Sequence, residues 1–328
     1  MVQARVSLRK GMKRIGAQKK FASNLFVFLI LLLPTIGFLI FWVYVHLDSF
    51  VLSFRTDSSI TIFDDPAGVF ADFTFDNYVK VFKEFFDPEG SLGKAALNTL
   101  IYFFSGLLIS LPISVLFSYF IYKKIRGYKF FRVITYLPTI ITSTVLIALF
   151  IQMFSIGGPF HYLEIQNGSS GGYGYMPFFL KDNNAAMFAL VFYTISFSFG
   201  GNIVVLCGAM NSIDKQILEA AELDGCGWVR ELFSVILPTI WPTISTMILL
   251  SFTGIFGASG PLLAFYPTLK NSVDVNALTT LNFEMYRYVV GNLGRTQDLC
   301  FASAIGMVLT LLTVPIVFVV KKFTMDKE

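Results

Sequence analysis

A run of acidic side chains and glycines marks segment 211–238, which separates two apolar stretches of the chain. The segment holds five acidic residues against two basic ones. Its first part is rich in helix-forming residues, and Asp214 stands where an N-terminal cap is expected. Gly225 and Gly227 follow, and glycine ends helices readily because it tolerates positive φ. The pattern predicts a short, capped helix outside the lipid.

A second helical stretch, Trp228–Ile236, follows within the same segment. Val229, Phe233 and Ile236 are spaced to lie on one face, and Pro238 marks the entry to the next apolar run. A helix–turn–helix of this composition suits the docking of a soluble partner.

Polar residues also recur inside two apolar runs. Thr194, Ser198 and Asn202 are four residues apart and form one stripe on a helix, bordered by Tyr193 and Phe197. Hydroxyl and amide groups at membrane depth can replace the hydration of a polar solute, and aromatic faces can stack on its apolar surface. Asn202 is the strongest candidate on physical grounds, because an unpaired amide in lipid is costly.

The next apolar run offers Ser251, Thr253 and Ser259. Two interpretations of these stripes stay open. The residues line a transport path, or they only allow helices to pack closely, as small polar residues in membranes often do. The absence of Asp, Glu, Lys and Arg from both runs argues against coupling to protons or ions and favours a neutral cargo.

The elements that position these residues are membrane helices. Hydrophobic residues make up 55% of the chain, charged residues 14%, and the mean hydropathy is +0.68. Each crossing of the hydrocarbon layer needs about 20 apolar residues in a helix, which satisfies its own backbone. Six runs meet this requirement: Leu25–Leu47, Leu97–Tyr122, Phe131–Phe154, Ala186–Met210, Thr239–Ser259 and Phe301–Val320.

The distribution of charge sets the expected orientation. Segment 1–24 is strongly basic, the turn 123–130 holds four basic residues and no acid, and Lys321-Lys322 follow the last run. These parts belong in the cytoplasm by the positive-inside rule, whereas the acidic loop 48–96 belongs outside. We therefore predict an all-α protein with six transmembrane helices, both termini cytoplasmic, a basic segment 1–24 and a transmembrane domain 25–328.

Several other functions find no support in the sequence. The chain has no GxxxxGK[ST] phosphate loop, no paired cysteines, and two histidines without metal-ligand neighbours. A solitary secondary transporter would need intramembrane ions or an inverted repeat, and an intramembrane enzyme would need a catalytic pair at membrane depth. No aromatic platform accompanies the basic N-terminus, so nucleic-acid binding is not expected.

Segment 211–238 resembles the cytoplasmic signature of binding-protein-dependent ABC importer permeases. The matching residues are Glu219, Ala220, Ala221, Asp224, Gly225, Leu237 and Pro238. Cys226 and Val235 depart from the usual Ala and Ile. By this resemblance the segment forms a coupling helix in a cleft of an ATPase subunit, where Glu219 meets a basic residue and Gly225 supplies the turn.

Further motifs along the chain resemble the MalF-like sugar permeases. They are Phe75-Asp76-Asn77-Tyr78, Asn98-Thr99-Leu100, Tyr136-Leu137-Pro138, Tyr286 and Ala302-Ser303-Ala304. The resemblance implies the type I importer fold in a bacterial cytoplasmic membrane, working with a second permease, two ATPases and an extracytoplasmic solute-binding protein. It implies no cofactor in this chain, since the ATPases bind ATP and Mg²⁺.

The same resemblance bears on the cargo. The family's sugar pocket is built largely from the fourth and fifth spans, which makes Ser198 and Ser251 the best candidates by position. The expected cargo is a sugar or oligosaccharide, and a charged sugar would have to be balanced by the partner permease. The glycine-rich stretch Gly157–Tyr175 is either a contact for the binding protein or an ordinary loop.

Overall fold

The described residues of the chain form helices and turns without a strand. The structure is a computed structural model that describes residues 26–56, 73–88, 90–154, 159, 183–257, 261–263, 265, 277–291 and 296–325. The expected basic segment 1–24 lies outside these residues, as does the stretch Gly157–Tyr175 except for Pro159.

Eleven helices are found within the described ranges, and four of them contain π-helical stretches. In chain order they are α1 (Phe26–Ser53), α2 (Asp76–Phe86), α3 (Ser91–Tyr122), α4 (Tyr128–Ile140), α5 (Ser143–Phe154), α6 (Asn183–Asn211), α7 (Lys215–Leu223), α8 (Trp228–Thr239), α9 (Trp241–Thr253), α10 (Leu281–Tyr286, continued as a π-helix over Arg287–Gly291) and α11 (Thr296–Met325).

Four of these helices, α1, α3, α6 and α11, are long and apolar enough to cross a membrane by themselves. Two further candidate spans are bent helix pairs, α4 with α5 and α8 with α9. The described part of the chain therefore has between four and six spans, depending on whether each bent pair crosses once. In the described residues, each of the six predicted apolar runs overlaps one of these helices or helix pairs.

The third predicted span, Phe131–Phe154, is not one continuous helix. α4 ends at Ile140, and α5 leaves it at an angle of 109°. Pro138 lies inside α4, where it removes one backbone donor, and Ile141 adopts an extended conformation with ψ of 139°. The backbone thus turns sharply just after the proline.

The fifth predicted span, Thr239–Ser259, is also divided. α8 ends at Thr239, and α9 begins at Trp241 after a bend of 70°. Pro242 occupies the first turn of α9, as is typical for a helix start. The 13 residues of α9 extend about 20 Å, less than the hydrocarbon layer. Ser259 lies outside the described residues.

The centre of the bundle is α6, which packs along α3 on one side and against α4 on another. Gly200 is the point of closest approach to α4. A Cβ atom at this position would clash with the carbonyl oxygen of Thr135 and with the methyl group of Thr139. The small residue lets the two helices touch.

Asn98 and Thr99 tie α3 to the segment that precedes α10. The Asn98 amide donates hydrogen bonds to the carbonyl oxygens of Ala277 and Thr279, at 2.9 and 3.0 Å. The Thr99 hydroxyl accepts one from the backbone N–H of Leu281 at 3.0 Å. These two motif residues satisfy buried backbone groups.

Asn77 and Tyr78 have a corresponding role at the end of α1. The Asn77 amide donates to the carbonyl oxygens of Ser53 and Arg55, at 3.2 and 2.7 Å. The Tyr78 hydroxyl lies 2.7 Å from the hydroxyl of Ser53. The two residues, on α2, fix the exit of the first span.

Candidate functional site

Helix α7 is delimited by local hydrogen bonds at both ends. At its start the Asp214 carboxylate accepts a bond from the Gln216 N–H at 3.0 Å. At its end Gly225 has φ of +72°, and the N–H groups of Gly225 and Cys226 donate to the carbonyl oxygens of Glu222 and Ala221. This is the Schellman arrangement.

The inner face of α7 is anchored in the bundle. Leu218 is buried in a cluster that also contains Leu232 and Ile236 of α8 and Leu206 of α6. Leu237 packs against the same cluster, whereas Pro238 is exposed. The segment after the fourth span is therefore part of the folded core, with a fixed position relative to α3 and α6.

An ionic network joins this segment to the end of α3. The Lys123 ammonium lies 2.7 Å from Glu231 Oε1 and 3.3 Å from Glu222 Oε1. The side chain of Glu231 is only 5% exposed, and its Oε2 accepts a hydrogen bond from the Tyr119 hydroxyl at 3.3 Å. A buried carboxylate needs such partners, because an uncompensated charge away from water is costly.

The charge on Lys123 is maintained by this arrangement. Burial lowers the pKa of the ammonium group. Hydrogen bonds to Glu231 and Glu222, together with the negative charge of Glu231, raise the pKa by a larger amount. The net pKa lies above the ordinary value of 10.5. Lys123 therefore stays cationic at neutral pH, and the link between α3 and α8 stays ionic.

The outer face of α7 has no cover within the described part of the chain. Glu219 and Ala220 are exposed. Leu223, four residues after Glu219 on the same face, is 88% exposed, and Ile217 is 46% exposed. A largely exposed leucine beside an exposed carboxylate is typical of an interaction surface. Asp224 extends this surface at the helix end.

The buried face of α8 differs from the predicted one. Ile236 is buried as expected, but Val229 and Phe233 are 47% and 62% exposed. The inward positions are instead Glu231 and Leu232. The π-helical stretch Leu232–Ile236 widens the turn and shifts the register, and the pairing of Glu231 with Lys123 holds this side inward.

The candidate path residues on α6 lie in different surroundings. Tyr193 is buried in an aromatic cluster, with ring centroids 5.4 Å from Phe150 and 5.6 Å from Phe265. The Thr194 hydroxyl donates to the carbonyl oxygen of Leu190 within the helix. The side chain of Ser198 lies outside the described part of the structure.

Asn202 and Ser251 line the same groove. Its volume is about 690 Å³, and it lies between α3, α6 and α9 with Leu111, Thr243 and Thr246 in its walls. The Ser251 hydroxyl bonds to the Met247 carbonyl oxygen, while the Asn202 amide has no hydrogen bond within the described residues. Thr253 is exposed and does not line the groove. The described residues contain no cluster of His, Cys, Asp and Glu that could hold a metal ion.

Comparison with known protein families identifies the family to which the chain belongs. Residues 90–324 match the family described as "Binding-protein-dependent transport system inner membrane component". The chain belongs to this family. The matched region contains α3 to α11 almost completely, including the α7–α8 segment, and the resemblance stated from the sequence is confirmed.

Curated relatives of the chain are permease proteins of the same family. The chain is 27% identical over 266 residues to the sn-glycerol-3-phosphate transport system permease protein UgpA of Shigella flexneri, covering 80% of this chain and 84% of the relative. The corresponding protein of Salmonella typhimurium is also 27% identical over the same shares.

Solved structures of bacterial ABC transporters share the fold of this chain. The chain matches a subunit of a bacterial ABC transporter involved in the import of the acidic polysaccharide alginate, with a TM-score of 0.71 and 19% identity. The match covers 94% of this chain and 98% of the other. A structure of a bacterial alginate ABC transporter in complex with an alginate pentasaccharide-bound periplasmic protein gives the same TM-score at 18% identity, covering 92% and 94%.

The sequence does not single out the ionic network of Lys123, Glu231 and Tyr119. In the charge pattern Lys123 counts only as one of the four basic residues of turn 123–130. The surplus of acids in segment 211–238 and the neighbouring turn of basic residues were the available signals, since opposite charges near the same membrane surface attract. Which acid would pair with which base depends on the helix packing.

Proposed function

We propose that this chain is a permease subunit of an ATP-driven, binding-protein-dependent importer, and that α7 is the helix to which an ATPase subunit couples. The observation that carries the proposal is the contrast between the two faces of α7. Leu218 is buried in the bundle, whereas Glu219 and Leu223 are presented outward without cover from the described residues. A surface fixed in place and uncovered suits a partner that transmits force.

In this mechanism a movement of the ATPase reaches the spans through Lys123. The ionic contacts to Glu231 and Glu222 join the coupling segment to the end of α3, and α3 packs along α6. When the ATPases bind ATP and Mg²⁺ and close, the α7–α8 segment moves α3 and α6 with it. The chain and a second MalF/MalG-type permease then alternate between inward and outward access.

The proposed topology has six spans with both termini in the cytoplasm. Counting each bent helix pair as one span gives this number. The polar bend at α8–α9 then lies at the cytoplasmic boundary, next to the coupling helix. An extracytoplasmic solute-binding protein delivers cargo on the other side, as the alginate transporter structure illustrates for a member of its fold.

The proposed cargo is a sugar or oligosaccharide, or a derivative that carries a negative charge. The curated relatives are named for sn-glycerol 3-phosphate and the solved structures for an acidic polysaccharide. An uncharged groove in this chain is therefore compatible with an anionic cargo that is balanced elsewhere. Asn202 and Ser251 line the proposed path through the 690 Å³ groove.

The coupling role is tested by Glu219→Lys in the complete transporter. We expect normal insertion and assembly of the subunits but loss of uptake, with ATP hydrolysis no longer stimulated by the loaded binding protein, because the new charge repels a basic residue of the ATPase. Ser234→Lys adds the same charge to the exposed surface of α8 and is the control. Normal uptake by Glu219→Lys would refute the docking role.

The path is tested by Asn202→Leu, with uptake measured over a range of cargo concentrations. Loss of one hydrogen bond to the cargo, about 1 kcal/mol, should raise the KM for uptake about fivefold. Thr194→Val is the contrast, since the Thr194 hydroxyl is already bonded to its own helix. An unchanged KM in Asn202→Leu, or an equal rise in Thr194→Val, would count against the groove as the path.

A further inference from the structure

A second cavity lies where α3 ends and α4 begins. Its volume is about 310 Å³, and its walls are the side chains of Phe117, Phe120, Ile121 and Phe131. Ile125 and Arg126, from the turn between the two helices, and Tyr128, at the start of α4, complete it. The lining is therefore apolar and aromatic apart from the Arg126 guanidinium and the Tyr128 hydroxyl, and the volume is in the size range of small-ligand sites.

The backbone of the turn leaves its charged side chains free to face outward. The N–H groups of Lys124 and Ile125 donate to the carbonyl oxygens of Ile121 and Phe120 at the end of α3, and the Tyr128 N–H donates to that of Ile125. Gly127, with φ of +93°, allows the chain to reverse direction. These backbone groups are satisfied by backbone carbonyls, so the exposed side chains of Lys124 and Arg126 are not needed for that purpose.

The charge around the cavity is positive and is only partly neutralised within the described chain. Lys123 is paired with Glu231 and Glu222. Lys124, Arg126 and Lys129 are exposed and form no ion pair with the described residues. Arg126 thus lines the groove, and Lys124 and Lys129 lie two and three residues from it along the chain, at the predicted cytoplasmic boundary of the membrane.

We infer that this cavity binds an anionic phospholipid, with Arg126 holding the phosphate and the Phe117–Phe131 walls holding part of an acyl chain. Guanidinium groups bind phosphate oxygens in a bidentate manner, and basic residues at the cytoplasmic surface attract anionic lipids. Phe120 and Phe131 are 39% and 48% exposed, so the groove is open at the surface of the helix bundle. A protein partner would be expected to bring acids to these bases, whereas the aromatic walls suit a hydrocarbon chain.

The lipid would lie next to the coupling segment. The ring of Phe120 is 6.5 Å from that of Trp228 at the start of α8, and Ile121 precedes Lys123 by two residues. The inference rests on the proposed function only through the orientation that places turn 123–130 in the cytoplasm. Lipid binding itself is measured without transport.

The experiment is native mass spectrometry of the purified complete transporter, first stripped of lipid and then titrated with phosphatidylglycerol or phosphatidylcholine. We expect wild-type protein to retain phosphatidylglycerol preferentially, and Arg126→Gln to weaken its apparent affinity about fivefold, the value of one basic residue near the surface. Arg126→Lys, which keeps the charge but loses the bidentate geometry, should lie between the two. Lys322→Gln removes an exposed base at the end of α11 and should have no effect.

Four results would overturn the inference. Equal retention of the two lipids, or equal retention by wild type and Arg126→Gln, would remove the phosphate site. Competition by soluble sn-glycerol 3-phosphate at the same potency as the lipid would show that the apolar walls contribute nothing. A photoreactive residue at position 120 that captures another subunit instead of a lipid would assign the groove to a protein.

Failure of the proposed function would be seen separately. Labelling of Lys124→Cys by a membrane-impermeant reagent in intact cells would show that the turn faces outward, which contradicts the orientation. Loss of lipid preference with the turn inaccessible from outside would instead reject the lipid site alone.

Discussion

The contact between Lys123 and Glu231 allows a quantitative test of how the coupling segment is attached to the bundle. Replacing Lys123 with Met leaves the Glu231 carboxylate buried, with the Tyr119 hydroxyl at 3.3 Å as its remaining bonded side chain. Breaking a buried pair in this way costs about 3–5 kcal/mol. Because the Lys123 side chain is 25% exposed, water partly compensates, and we expect about 3 kcal/mol.

The reverse change, Glu231→Gln, should cost less. Lys123 keeps Glu222 at 3.3 Å and its access to water, so the loss is that of one charged hydrogen bond, about 1.5 kcal/mol. The double variant Lys123→Met, Glu231→Gln leaves no unpaired buried charge and should also cost about 1.5 kcal/mol. The sum of the two single effects on the free energy of unfolding would therefore exceed the effect of the double change by about 3 kcal/mol.

Equilibrium unfolding of the purified subunit in mixed detergent measures this difference as a double-mutant cycle. Effects that add to within about 0.5 kcal/mol would refute a direct interaction. A readout of coupling is also needed, because a purely structural contact would give the same cycle. In the reconstituted transporter we expect Lys123→Met to lower uptake per ATP hydrolysed, and the swap Lys123→Glu, Glu231→Lys to restore part of it. An unchanged ratio in the folded Lys123→Met variant would limit the pair to stability.

Two further predictions concern other parts of the fold. Burial, followed by the negative charges of Glu284 and Asp87, raises the pKa of Glu84 above its ordinary value of 4.5. The free energy of unfolding should therefore fall as pH rises through this raised pKa, and Glu84→Gln should raise the melting temperature at pH 8 more than at pH 5. Equal shifts at the two pH values, or a similar gain in the exposed Asp76→Asn, would contradict the assignment. Gly200→Ala should lower the free energy of unfolding by about 1–3 kcal/mol through overpacking against α4. Gly201→Ala, where an added Cβ meets nothing within 4 Å, should be neutral or stabilising. Equal changes in the free energy of unfolding for the two variants would refute the close contact.

The existence of the helices could be predicted from the sequence. The change of direction between α4 and α5, and between α8 and α9, could not. Lipid requires long apolar helices, so the runs were visible in the composition. Pro138 is visible in the motif Tyr136-Leu137-Pro138, yet the angle of 109° depends on how α4 packs against α6. Such long-range contacts leave no periodic signal in the chain.

Helix α7 was predictable in detail because its determinants are local. The cap at Asp214 and the positive φ of Gly225 lie within a few residues of the helix ends. The functions of Asn77 and Asn98 were not predictable in this way. Their motifs were recognised only by resemblance, and the carbonyl groups they bind belong to segments 22 to 181 residues away.

The acidic residues of segment 211–238 fall into groups with different surroundings. Membrane topology alone does not explain why they are present. Asp214 caps α7, and Glu222 and Glu231 bind Lys123. Glu219 and Asp224 stay exposed. The surplus of negative charge therefore has two uses on opposite sides of the α7–α8 segment: inward, it attaches the segment to α3, and outward, it is available to a partner. A segment attached on one side only to its own bundle would move that bundle whenever its other side is pulled, and this is the mechanical property that coupling requires.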